Sequence, residues 1–419
     1  MCRHCPSGDV TSESWLALDL VAVHAAFARP DEIVAERRAL YRLAAELVGA
    51  RAVPDAVLDS PLVRYRLGGA LAGQVDLGGR DLAVDRDAIG QVVDAGLPVV
   101  ADPVARDALA DLLRIVGPVL GLRLMAEDDE GFDEVLALVA EGVRLAREAG
   151  GALAEDLLTH VDLLAVVDPA TAGGLVSASS RYVPGVVVVV RPRTAFEVAE
   201  ALIHEGAHEK FFDLAITRSF LDVNSDAVEE FTPSWSGARW PFEQVFAACH
   251  AYFCLARFER DSNGLPIGPD SLLPMAEKRA AEIAEWLREH ELHLLPDART
   301  MLRGLLESPG SGASRIPPRS MPLADSYAVN PDVRSSGLLP TGRTVVGLPG
   351  SPPHLFWLAK DSSAVLDLLV RQTGGCSVEE CTTAVRALWD VEEHEARERL
   401  TTALADLAHH DLIITTAPA

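Results

Sequence analysis

From Ser12 to about His160, apolar residues recur at helical spacing, in segments such as DEIVAERRALYRLAAELVGARAV and FDEVLALVAEGVRLAREAGGALAEDLL. Acidic residues open several of these segments and arginines come later in them, the order that the helix dipole favours. Residues 1–160 are therefore expected to form an all-helical region.

The pattern changes between Val161 and Arg193. The stretch VDLLAVVDPATAGGLVSASSRYVPGVVVVVRPR is β-branched and is punctuated by Gly173, Gly174, Pro184 and Gly185, which predicts two or three short strands joined by turns. Helical period returns at once in TAFEVAEALIHEGAHEKFFDLAI, where Thr194 and Glu197 have the spacing of a capping box. A loop bearing Pro233, Trp235, Gly237 and Trp240 leads to another helical stretch, PFEQVFAACHAYFCLARFERD, and two further helices complete a unit over 161–307. Residues 308–340 are rich in proline, glycine and serine and read as a linker. Beyond it, RTVVGLPG and PHLFWLAK can pair as a hairpin, followed by three helical segments and the strand-like LIITT, a winged-helix-like pattern over 341–419. The fold class expected is α+β and mostly helical: a helical N-terminal region, a zincin-like HExxH helix beside a small sheet, and a winged-helix-like C-terminal module. No repeat of solenoid period is present.

Composition narrows the function. With 419 residues, 49% apolar and 24% charged, the chain is globular and large enough for two or three domains. A net charge of −25 argues against nucleic-acid binding, which needs basic surface. Apolar runs such as PGVVVVV are too short for a bilayer, which takes roughly 20 residues, and the N-terminus lacks a signal-like apolar region, so a cytoplasmic location without membrane association is expected. Six cysteines in this length do not make a disulfide scaffold. Cys2, His4 and Cys5 form only half of a zinc site, and Cys249 and Cys254 read as buried thiols.

The chemistry centres on HEGAH. His204 and His208, four residues apart on a helix, share a face and can direct imidazole nitrogens to one ion, with Glu205 beside them. H-E-x-x-H occurs by chance in amphipathic helices, but here it follows strands within an apolar helix, and this context favours a metal role over two structural histidines. The sequence after His208, EKFFDLAITRSFLD, excludes a metzincin continuation. Glu229, Glu230 and Glu243 are available as a third ligand but lie before or at the edge of the next helix. His250, well inside it, is the favoured donor. Three imidazoles suit zinc as well as ferrous iron.

The succession SASSRYVPGVVVVV, ALIHEGAHEK, PSWSGARWPF and AACHAYF, covering roughly Ala165 to Arg260, resembles the HExxH-domain proteins that modify ribosomally made peptides. That family is described as Fe(II)- and 2-oxoglutarate-dependent peptide β-hydroxylases. The resemblance implies iron held by His204, His208 and His250, with Glu205 orienting water or a ligand, and hydroxylation of a side-chain β-carbon in a precursor peptide. It implies a cation for the distal carboxylate of 2-oxoglutarate, with Arg239 and Arg257 as candidates, and a pocket lined by Ser177, Ser179, Ser180 and Trp235. The loop SWSGARWPF departs from the family's more usual tryptophan–arginine adjacency. The terminal module resembles a peptide-recognition domain that would grip a leader by strand addition. Two other readings stand beside this one: a zinc metallopeptidase with Glu205 as general base, and a non-catalytic binding protein.

Overall fold

The computed structural model describes residues 20–25, 29–50, 53–87, 89, 92–107, 109, 122–218, 220–221, 228–262, 267–306, 324–350, 353–372 and 375–416. Cys2, His4 and Cys5 lie outside them. The fold is mixed α+β and mostly helical, with small sheets. It divides into two compact units: one comprises the described residues of Met1–Val34, Asp59–Tyr65 and Ala83–Ala313, the other those of Ala35–Leu58, Arg66–Leu82 and Ser314–Ala419. The N-terminal helices are thus divided between two units instead of forming a region of their own.

In chain order the helices before the first sheet are α1 (Leu20–Ala25), α2 (Pro30–Leu47), α3 (Asp55–Leu58), α4 (Pro61–Leu71) and α5 (Ala83–Asp87). The first unit then builds β1 (Val92–Asp94), β2 (Pro98–Val100), α6 (Phe132–Leu158), β3 (Leu163–Val167), β4 (Ser177–Ala178), β5 (Val186–Val190), α7 (Ala195–Thr217), α8 (Phe242–Asp261), α9 (Leu273–Glu289) and α10 (Pro296–Leu306). Its sheet has the order β1-β2-β3-β5-β4, with β2, β3 and β5 parallel and antiparallel strands at both edges. The hairpin β1–β2 falls within the segment expected to be all-helical. Its strands are only three residues long, too short for an alternating pattern to stand out.

Valine-rich β3 and β5 are covered on both faces, which is why they read as continuous apolar runs. Leu164, Val166, Val187 and Val189 face one core with Val139 and Val198, and Leu163, Ala165, Val167, Val186 and Val188 face another with Leu62 and Val100. Helix α6 covers the sheet and packs closely on α7. A Cβ at Gly142 would lie 2.4 Å from Val198 Cβ and 2.7 Å from the Ala195 carbonyl, so only glycine permits this approach. A third core joins α7, α8, α9 and α10 through Phe211, Phe246, Phe258, Ile283 and Met301.

The second unit holds β6 (Ser326–Val329), β7 (Arg334–Ser335), β8 (Thr344–Leu348), β9 (His354–Leu358), α11 (Lys360–Arg371), β10 (Cys376–Ser377), α12 (Val378–Trp389), α13 (Glu393–His409) and β11 (Ile413–Thr415). The hairpin β8–β9 pairs Val346 with Phe356, and β7 adds to β8, giving the order β7-β8-β9; β6 lies between β10 and β11 in a separate sheet. Strands β6 and β7 lie inside the stretch expected to be linker, where surrounding Pro, Gly and Ser mask the short β-prone SYAV. Within this unit Ala39 and Leu43 of α2 pack on Val345 of β8.

The close approach of α6 and α7 gives a reversed sign to a usual substitution. In an ordinary helix Gly→Ala stabilises by about 0.5–1 kcal/mol. Here Gly142→Ala is expected to destabilise by about 1–3 kcal/mol through overpacking, read as a lower urea midpoint with unchanged slope.

Candidate metal centre

Helix α7 carries the site, and its burial sets the terms. Thr194 caps it by accepting from the Glu197 amide at 3.3 Å, while the Glu197 carboxylate reaches back to the Arg193 amide at 2.7 Å. Nearly every turn of α7 is buried, polar residues included, and an ionisable group in such a helix needs a partner. Four elements supply partners. Glu200 accepts from Ser271 and from the Leu272 amide, and Glu209 accepts from the Gly185 amide at 2.6 Å. Lys210 donates to both oxygens of Asp156 at 2.5 Å, and Asp213 meets His160 Nδ1 at 2.6 Å. Gly185 has φ +90°, and a Cβ there would strike Arg64 and Asp162, so the Pro-Gly turn that receives Glu209 requires glycine. Burial raises the Glu209 carboxyl well above its ordinary range, although the Gly185 amide works against this.

The HEGAH residues meet as the spacing predicts. The ligand atoms of His204, Glu205 and His208 lie within 4.8 Å of one another, and the two imidazoles stand edge to face with ring centres 4.8 Å apart. Glu205 is fixed by the sheet edge: Ser177 Oγ donates to one carboxylate oxygen and Ser179 Oγ to the other, each at 2.6 Å. Antiparallel pairing of β4 on β5, Ser177 opposite Val189, brings these serines to α7. Ser180 instead accepts from the Tyr182 amide.

The two histidines differ from their neighbours. His204 Nδ1 is buried with no hydrogen-bond partner, and the His208 ring forms no hydrogen bond among the described residues. Burial lowers both imidazoles to about 4, assisted at His204 by the charge of Arg279 and at His208 by His204. At neutral pH both are uncharged and carry a lone pair, the state a metal needs. Two neutral imidazoles left without partners, beside an oriented carboxylate, fit a divalent transition ion. A cleft of about 410 Å³ opens over His204, Glu205 and Ser177, with Glu197, Arg191 and Ser271 on its walls.

Other expected residues lie elsewhere. His250 is not brought to this trio: its Nδ1 meets the Ala207 carbonyl at 3.0 Å and its Nε2 meets His24 Nε2 at 2.8 Å. On α8 it packs against Ala207 and Phe211 of α7. Glu243 pairs with Arg181, and Glu230 with Arg239. Arg239 is 69% exposed, and Arg257 pairs with Asp261 on its own helix. The arginine whose charge reaches His204 is Arg279 of α9. Its guanidinium lies 5.1 Å from the Trp235 ring and 5.5 Å from that of Tyr252, and it donates to the Tyr252 hydroxyl at 3.0 Å. Its Nε is buried without a partner, and it forms no ion pair among the described residues. Tyr252 in turn stacks edge-on to His204 with centres 5.7 Å apart. Trp235 therefore lies against Arg279 and Tyr252, close to His204. Nothing in AEKRAAEIAEW distinguishes Arg279 from a surface charge; its neighbours alone do so.

No protein-family model matches the chain, and no curated protein is similar to it.

The lowered histidines give a pH signature. Both have folded values below 6.5, so the folded chain refuses protons that the unfolded chain accepts, and these groups penalise folding increasingly as pH falls from 6.5 toward about 4. Imidazole NMR of metal-free protein should show His204 and His208 neutral at pH 6, with midpoints near 4; midpoints near 6.5 would contradict the burial.

Proposed function

We propose that the protein is an Fe(II)- and 2-oxoglutarate-dependent hydroxylase that acts on a side-chain β-carbon of a ribosomally made precursor peptide. The observation that carries this reading is the Arg279 guanidinium, whose charge reaches His204 and which rests against two adjoining aromatic rings with no carboxylate partner among the described residues. A permanent, partly desolvated cation calls for an anion, and the distal carboxylate of a dicarboxylate co-substrate meets that need.

His204, His208 and Glu205 would hold the metal, two imidazoles and one carboxylate being a donor set that suits ferrous iron with open positions. Glu205 thereby takes the place first given to His250. Bound iron with 2-oxoglutarate and dioxygen would supply oxidative chemistry, in which one atom of O2 turns an aliphatic C–H into C–OH and the other enters the co-substrate as it is converted to succinate and carbon dioxide. The chain's own residues orient and exclude. Ser177 and Ser179 each occupy one lone pair on the Glu205 oxygens, which leaves the others for the metal. Trp235 and Tyr252 adjoin each other and cover part of Arg279, which would strengthen its grip on an anion. The antiparallel edge strand β4 beside the HExxH helix supports a zincin-like reading of this half, with the cleft as the place for an extended peptide.

The order β7-β8-β9 followed by α11, α12 and α13 supports a winged-helix-like peptide-recognition module in the second unit. Strand β9 is at an edge of its sheet and is open to strand addition by a leader. Tethering the precursor would raise its effective concentration at the cleft.

A zinc metallopeptidase is the second reading, favoured by the Tyr252 hydroxyl, a donor beside His204 of the kind that stabilises an oxyanion. Glu205 would then be general base toward a metal-bound water. Mass spectrometry of a co-expressed precursor decides between the two. Gain of one oxygen with stoichiometric succinate supports the hydroxylase, fragments support the peptidase, and a precursor left unchanged both with iron and co-substrate and with zinc contradicts both. Arg279→Met should raise KM for 2-oxoglutarate roughly 10- to 100-fold, the loss of a charged hydrogen bond, with a smaller change in KM for peptide. Hydrogen exchange of the full chain should show leader-dependent protection over His354–Leu358; protection confined to other segments would overturn the docking mode.

A further inference from the structure

A second group of metal-binding side chains, distinct from the HExxH trio, lies against α7 in the first unit. His24 of α1 and His250 and Cys254 of α8 are all buried, and their donor atoms lie within 4.8 Å of one another. Cys254 Sγ is 3.7 Å from His250 Nε2.

The tautomers make this cluster informative. The Ala207 carbonyl can only accept, so His250 Nδ1, at 3.0 Å from it, carries a hydrogen. Asp156 receives the Lys210 ammonium on both oxygens, so it is the acceptor toward His24 Nδ1 at 2.6 Å, and that nitrogen carries a hydrogen too. In two neutral imidazoles both Nε2 atoms are then lone pairs. They face each other at 2.8 Å, an arrangement that repels unless a cation lies between them. Each histidine also has its outer nitrogen locked by an oxygen acceptor, one carboxylate and one backbone carbonyl, the support found behind metal-ligating histidines. A shared proton would not call for the thiol. Cys254, one helical turn beyond His250, brings a third and soft donor to the same point.

We propose that His24 Nε2, His250 Nε2 and the Cys254 thiolate bind a second metal ion of the zinc class, distinct from the HExxH centre. Binding releases the Cys254 thiol proton to solvent and involves no redox change. Tetrahedral bonds of about 2.0–2.1 Å to nitrogen and about 2.3 Å to sulfur put N and S donors ~3.6 Å apart and two N donors ~3.3 Å apart. The sulfur already stands at 3.7 Å, and the imidazoles need only separate by about half an ångström from 2.8 Å. The ion fastens the short helix α1 to α8, and through Ala207 and Lys210 it buttresses the helix that carries HEGAH. The soft thiolate selects against iron in favour of zinc, which lets one chain keep two different ions apart.

The test uses the full chain with the first centre removed. His204→Ala/His208→Ala protein, stripped and titrated with cobalt(II), should take up one equivalent and develop thiolate-to-cobalt charge-transfer absorption in the near ultraviolet. Adding Cys254→Ser should abolish that band and weaken cobalt binding at least tenfold while circular dichroism stays unchanged. Zinc should displace the cobalt and bleach the spectrum. Absence of bound cobalt in the double variant, or bound cobalt with no thiolate band, overturns the proposal. Neither result depends on hydroxylase activity, so this inference and the proposed function fail separately.

Discussion

Burial of α7 on nearly every side is the constraint from which the rest of the first unit follows. A helix that carries Glu200, Glu205, Glu209, Lys210 and Asp213 into a core must find each of them a partner, and it finds them on different elements. The ion pair of Lys210 with Asp156 ties α7 to α6; the Gly185 amide and the two serines tie it to the strand pair β4–β5 and its connecting loop. Removing one member of the Lys210–Asp156 pair leaves a buried charge uncompensated, a loss of about 3–5 kcal/mol. The network that satisfies α7 therefore also fixes where its two histidines stand.

That network gives the exceptions their meaning. In a helix where the buried charged groups are paired, two neutral imidazoles without hydrogen-bond partners among the described residues are the departure from the rule. Arg279 is a second departure, a guanidinium bonded among the described residues only to a phenol and resting against rings. The two meet at His204. A metal and an anionic co-substrate are what each lacks, and the proposed oxidative chemistry follows from supplying both at one place.

Much of this was legible in the sequence because it depends on local period. Helix α6 covers the FDEVLALVAEGVRLAREAGGALAEDLL segment with a kink at Gly151, and β3, β4 and β5 fall within the β-branched stretch before HEGAH. The convergence of His204, Glu205 and His208 follows from helical spacing alone. Partners chosen across the fold were not legible. His250 looked like a third ligand because it was the one histidine well inside the following helix, yet which side of α7 it meets depends on the crossing of two helices. His24, in the apolar run LVAVHA, was visible as a lone polar residue, but its approach to His250 spans 226 positions of chain. Arg279 was hidden by an amphipathic pattern that suits a surface residue equally well.

The most direct measurement is anaerobic titration of ferrous iron into Cys254→Ser protein, which isolates the HExxH centre, followed by 2-oxoglutarate. The account predicts one equivalent of iron, lost when His204 and His208 are both replaced by alanine, and 2-oxoglutarate binding that requires both the iron and Arg279. Equal iron uptake with and without the two histidines, or co-substrate binding indifferent to iron, would contradict it.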